Sequence, residues 1–190
     1  MATERCNHRC IMCPQPPIQK ETDKTPFNLK LISLIDKDTE VIGITGGEPT
    51  LTGDNLFTLI NSIKKKLPNT AISLLSNGVN FANREYAMKL AMCRHYNMQI
   101  DIPLFSDIAE EHDNIVGSKT FYKTVQGLYN LALFHQCIGI RIVIHKKTYK
   151  RLVQFADFVY HNFPFVTQVA FMQMEITGLA KENFEELWID

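Results

Sequence analysis

The chain of 190 residues has no net charge: 20 lysines and arginines balance 20 aspartates and glutamates. Proteins that hold nucleic acid carry a basic excess, so nucleic acid is not an expected partner. No apolar run reaches the roughly 20 residues of a membrane span, so no membrane is expected either. The first ten residues, MATERCNHRC, are polar and lack the apolar stretch of a secretion signal. These absences point to a cytoplasmic protein. There is no low-complexity segment and no short repeat. A second Cys-x-x-Cys pair is missing, as is any His-x-x-x-His, so the usual zinc ligand sets are incomplete.

What is present is a cysteine cluster. The chain has five cysteines, an odd number, and three of them fall within CNHRCIMC, Cys6 to Cys13. A disulfide framework in a chain of this size does not look like this. A reducing compartment and a metal site fit better. Thiolates suit zinc or an iron–sulfur cluster, and three can hold three irons of a cubane, leaving one iron open. His8 lies inside the loop at an unfavourable ligand spacing. Cys93 and Cys137 stand in apolar contexts and read as core residues.

The 45% hydrophobic content is that of a globular protein, and the length suits one domain, residues 1–190. Strand-like runs, rich in branched residues, occur at Val41–Thr45, Ala71–Leu75, Met98–Leu104, Ile138–His145 and Gln168–Met174. A short strand at Ala2–Arg5 would make a sixth. Between them, apolar stripes mark helices: Phe27, Leu31, Leu34 and Ile35; Leu56, Leu59, Ile60, Ile63 and Leu67; Asn83–Cys93; Phe121, Val125, Leu128 and Ala132; Leu152, Ala156 and Val159. Pro68 and Pro164 follow helix ends. Val41–Thr45 and Ile138–Ile144 are almost wholly apolar, as strands covered on both faces are.

Such alternation predicts an α/β fold of parallel strands with helices packed outside. Six units are too few for an eight-unit barrel and suit an open partial barrel, or else a doubly wound sheet. In either, chemistry gathers at the C-terminal ends of the strands. The cysteine loop, GGEP (Gly46–Pro49), SNG (Ser76–Gly78), SDIAEEHD and HKKT all follow strands and should meet on one rim. GGEP alone could be a plain turn, but glycines there also let a ligand approach the backbone. His112–Asp113 and Gly117–Ser118 read as turn and cap residues, and Glu182, Glu185 and Glu186 as a solvated helix face.

CxxxCxxC followed by GGEP, in this order, resembles the radical S-adenosylmethionine (radical SAM) superfamily, and the strand and helix order fits that family's partial (β/α)6 barrel. The resemblance implies that Cys6, Cys10 and Cys13 bind a [4Fe–4S] cluster. S-adenosylmethionine would occupy the fourth iron, and its reductive cleavage would give a 5′-deoxyadenosyl radical that takes hydrogen from a substrate. It further implies that Met12 lies against the adenine, and that Gly46, Gly47 and Glu48, with Pro49 ending the turn, meet the amino group through backbone atoms. Ser76 and Asn77 would help fix the cofactor. Relatives carry Ser-x-Asp on the next strand, where this chain has Pro103 and Phe105; Asp101 and Ser106 are candidate substitutes. Arg141, on one face with Val143 and His145, would meet the cofactor carboxylate or else point outward. A flavodoxin- or ferredoxin-type electron donor is the family expectation.

The longer run CNHRCIMCPQPP, with IPLFSD and HDNIVG, resembles the radical maturases of His-Xaa-Ser peptide systems. That implies a ribosomally made peptide substrate and a second radical SAM protein as a partner. Other readings stay open: a radical enzyme acting on a small molecule or activating a glycyl-radical partner, and a non-catalytic metal-binding module. Maturases often carry further C-terminal cysteines, and none follows Cys137; the chain is a minimal member or a fragment.

Overall fold

A computed structural model describes residues 1–15 and 23–189. Pro16 and Pro17, the end of the proline run, lie outside them. Among the described residues, five parallel strands form one sheet in sequence order: β1 Val41–Ile44, β2 Ala71–Leu75, β3 Met98–Pro103, β4 Cys137–Ile144 and β5 Gln168–Gln173. The helices are α1 Thr25–Leu34, α2 Asp54–Lys66, α3 Arg84–Met92, α4 Ala109–Val116, α5 Phe121–Leu133, α6 Leu152–Asn162, α7 Gly178–Glu182 and α8 Phe184–Leu187. This is the α/β partial-barrel architecture expected.

The expected strand at Ala2–Arg5 does not form. That segment instead lies along the chain beyond β1, where Ala2 N–H donates to Thr45 O (2.6 Å) and Gly47 N–H to Thr3 O (2.8 Å). The step slips by a residue before Glu48 N–H reaches Arg5 O (2.7 Å), which breaks the regular ladder.

One face of the sheet carries the core. Ile44, Ile72, Leu74, Ile100, Ile102, Ile138, Ile140 and Ile142 are buried with Leu56, Ile60 and Ile63 of α2, Leu90 of α3, Leu128 of α5 and Phe155 of α6. Each such side chain contributes about 1.5–3 kcal/mol by leaving water. The opposite face, set by register, carries Gly43, Ser73, Gln99, Asp101, Gly139 and Arg141. Most of these are only partly buried, and Val41 is 58% exposed. The expectation of two covered faces therefore fails for β1, which is an edge strand.

Other departures have local causes. In α1 the buried residues are Thr25, Asn28 and Ile32, while Phe27, Leu31 and Leu34 face solvent. Asn28 turns the helix inward by donating from Nδ2 to Met1 O (3.2 Å). The SDIAEEHD segment is not all loop, because α4 starts at Ala109. Asp113 lies within α4 and is a cap of another kind: its Oδ1 accepts from Thr120 N and Phe121 N, both at 2.8 Å, at the start of α5. Gly117 ends α4 in the left-handed region. Phe155, not Ala156, fills the core under α6, and Cys137 is exposed while Cys93 is buried.

Candidate cofactor site at the strand ends

The cysteine loop is clamped from both sides. Arg9 N–H donates to Val116 O (2.9 Å) and Ile11 N–H to Ile115 O (3.0 Å), at the end of α4. On the other side, Leu179 N–H donates to Cys13 O (2.9 Å), and Asn183 Nδ2 donates to Ile11 O (2.9 Å). Two glycines allow these contacts. A Cβ on Gly117 would stand 2.9 Å from Arg9 O, and one on Gly178 would stand 2.3 Å from Pro14 O. His8 is buried and pairs its Nε2 with Thr120 Oγ1 at 2.9 Å. Burial holds its pKa down at about 4, against a smaller opposing pull from Asp113. That bond makes it an anchor of the loop.

The three thiols share one neighbourhood. Burial pushes the Cys10 thiol up to about 12, and Cys6 and Cys13 add to this. Cys6 and Cys13 are raised as well, chiefly by burial. Thiolates crowded this way need a cation. Among the described residues, no three of His, Cys, Asp and Glu are grouped closely enough to hold a single metal ion. One zinc ion requires every sulfur about 2.3 Å from the same centre. A cubane puts each thiolate on its own iron and tolerates wider spacing. The donor set fits the cluster better than the ion.

The GGEP turn is built around Glu48, which is 1% exposed. Its Oε1 accepts from Thr50 N (3.0 Å), Thr50 Oγ1 (2.6 Å) and Ser76 Oγ (2.7 Å), and its Oε2 accepts from Asn77 N (2.6 Å). Burial raises its pKa and these donors oppose the rise. Asn77 extends the chain of bonds, donating from Nδ2 to Asn7 Oδ1 (2.7 Å) in the cysteine loop. The three loops are thus tied together by side chains. The N–H groups of Gly47 and Glu48 are already bonded, so the turn's remaining backbone acceptors are suited to an amino group. Neither glycine tolerates a side chain: a Cβ would fall 2.3 Å from Thr3 O at Gly46 and 2.2 Å from Arg5 O at Gly47.

Cys6, Cys10, Met12, Cys13, Gly46, Gly47, Glu48, Ser76, Asn77 and Arg141 all line one cavity of about 400 Å³. Pro49 is buried and does not line it. Arg141 points inward with Val143, not outward, and its Nε donates to Met172 Sδ (3.0 Å). His145 does not join them; it is buried in the following turn, where its Nδ1 accepts from Lys147 N (3.2 Å). Of the two substitutes for the missing Ser-x-Asp, Asp101 lines the cavity and Ser106 does not. Ser106 Oγ is bonded to Glu111 Oε2 (2.6 Å). Asp101 Oδ1 accepts from Gln99 Nε2 (2.8 Å) and leans over Gly139, where a Cβ would be 2.3 Å away. Sequence reasoning missed Asn7, Met172 and Met174. Asn7 had a signal, its place inside the cysteine loop. The methionines had none.

The fold and the rim define an α/β partial barrel with a thiol loop and a glycine turn facing one cavity. The family model of the Radical SAM superfamily matches residues 1–159, and the chain belongs to that superfamily. Among curated relatives, a GTP 3′,8-cyclase of Pasteurella multocida is 34% identical over 132 residues, covering 66% of this chain and 38% of that protein. A probable GTP 3′,8-cyclase of Saccharolobus islandicus is 24% identical over 190 residues, 97% of this chain and 58% of that one. The chain thus spans less than two thirds of these relatives. Among solved structures, Streptococcus suis SuiB bound to S-adenosylmethionine superposes with a TM-score of 0.75 at 16% identity, covering 94% of this chain and 40% of that one. Native anSMEcpe with bound AdoMet gives 0.72 at 17%, covering 92% and 50%. These likenesses bear on the fold.

Proposed function

We propose that this chain is the core of a radical SAM enzyme. One observation carries the reading: the thiol loop, the GGEP turn and the Ser76–Asn77 pair, from three separate segments, line the same cavity. Its volume, about 400 Å³, falls in the range of small-molecule sites. Cys6, Cys10 and Cys13 would hold the [4Fe–4S] cluster. Gly46, Gly47 and the backbone of Glu48 would accept from the amino group of S-adenosylmethionine, Arg141 would meet its carboxylate, and Met12 its adenine. Ser76 and Asn77 act at one remove, by fixing the turn through Glu48. The cluster and cofactor together supply the electron transfer and the radical; the protein orients them and limits water with Met12, Phe105, Met172 and Met174. The partner required is a flavodoxin- or ferredoxin-type donor.

For the substrate, a peptide of the His-Xaa-Ser kind is the first reading, with a second radical SAM protein as co-worker. Arg141 is the one lysine or arginine among the described residues lining the cavity, whereas Asp101 and Glu175 also line it. A triphosphate bound there would meet too little positive charge. A purine nucleotide is the second reading, and the names of the curated relatives favour it.

Electron paramagnetic resonance on the anaerobically reconstituted, reduced protein tests the first step. A cubane signal that shifts on adding S-adenosylmethionine is expected; iron loading without a shift would leave only a metal-binding module. Deoxyadenosine release with a His-Xaa-Ser peptide, run beside GTP, then separates the two substrates.

A further inference from the structure

The balanced charge of the chain hides a strong asymmetry. Residues 114–156 contain no aspartate or glutamate but seven lysines and arginines, and residues 5–20 contain no acid at all. The fold brings parts of these two stretches together beside the thiols. His8 bonds to Thr120, and Arg9 N–H bonds to Val116 O. Arg9 and Lys119 are therefore sequence neighbours of one buried contact, and both are exposed. Lys123 is also exposed and lies in the first turn of α5, which begins at Phe121, two residues after Lys119. Among the described residues, none of the three takes part in an ion pair. The nearby Asp113 carboxylate is committed to two N–H groups of α5. The exposed Glu110 sits at the other end of α4, about 9 Å along the axis from the Arg9 contact. Arg9 directly precedes Cys10, so this surface adjoins the thiol loop.

We infer that Arg9, Lys119 and Lys123 form the docking face for a small acidic protein that carries one electron. The inference rests on the radical SAM reading above and assigns where its reductant binds. A basic face beside the loop steers an acidic carrier and orients its redox group toward the thiols. The transfer is one electron: the carrier's reduced flavin is oxidised by one electron and the cluster passes from the 2+ to the 1+ state. No bond is made or broken.

The experiment uses the full chain, reconstituted anaerobically, as wild type, as the Arg9→Glu/Lys119→Glu double variant and as Lys123→Glu. Cluster reduction is followed by stopped-flow absorbance with two reductants, photoreduced flavodoxin and the small neutral photoreductant deazaflavin. The deazaflavin rates should agree within about twofold, and iron content should be unchanged. The flavodoxin rate of the double variant should fall about tenfold or more at low ionic strength. The gap should close as salt shortens the screening length from about 10 Å at 0.1 M toward about 3 Å at 1 M. Equal flavodoxin rates beside a normal deazaflavin arm would overturn the docking face alone. A loss in both arms would overturn it too, since the residues would then serve the fold or the cluster itself. A wild-type chain with no reducible cluster would sink the functional reading and this proposal with it.

Discussion

Glu48 accepts four hydrogen bonds with its two oxygens, all inside the protein. The motif residue that looks most chemical is thus a brace. Replacing it with Gln would set an amide N–H₂ against donors. Glu48→Gln should cost about 2–3 kcal/mol, measured by urea unfolding, because hydrogen bonds to a buried charge are lost and a donor is orphaned. Two other buried residues set a pH response. Among the described residues, His112 and His145 have no partner for Nε2, and burial holds both pKa values at about 4. In the unfolded chain each would titrate near 6.5, so unfolding takes up protons between these values. Stability is full above pH 6.5 and should fall by about 1.4 kcal/mol per pH unit for each histidine as pH drops toward 4. Unfolding free energies measured at pH 7, 6 and 5 test this; a flat profile would contradict the neutral, buried assignment.

At the scale of elements, α1 and the cysteine clamp make contrasting cases. Ile32 is 8% exposed and Phe27 67%. Ile32→Ala should therefore cost about 1–3 kcal/mol, while Phe27→Ser should stay within about 0.5 kcal/mol, by thermal unfolding. The apolar stripe in the sequence chose the opposite face. Helix α1 has Phe27, Leu29, Leu31, Ile32 and Leu34 spread over much of its circumference, so periodicity alone could not orient it. Helices α2 and α5 were legible because their apolar stripes pick a single face, and strands β2 to β5 because short runs of branched residues end at turn signals. The rim was legible for a different reason: in a parallel sheet, motifs that follow strands must collect at one end. What the sequence concealed depended on contacts distant along the chain. Asp113 capping α5 from within α4 is one example, and Asn183 reaching Ile11 across 172 positions is another. Gly178 belongs with them. Its φ of 52° and its approach to Pro14 O leave no room for a Cβ. Gly178→Ala should loosen the thiol loop and lower iron retention after gel filtration, with far-UV circular dichroism unchanged.

At the scale of the molecule, a sheet covered on one side leaves the other free to build a site. Large side chains fill the helix-covered face, whereas Gly43, Ser73 and Gly139 thin the opposite one. Net charge is zero with a pI near 7.0, yet the acids are excluded from residues 114–156. Such a chain behaves as a dipole. Light scattering should show self-association near pH 7 at low salt, relieved at about 0.3 M salt as the Debye length shortens. The bond from Asn77 to Asn7 has a consequence of another kind. It joins the thiol loop to the turn held by Glu48, so the free energies of binding on the two sides are linked. Whatever factor iron in the loop adds to the affinity for S-adenosylmethionine, the same factor must return as tighter retention of iron, and a chain starved of one will hold the other less well.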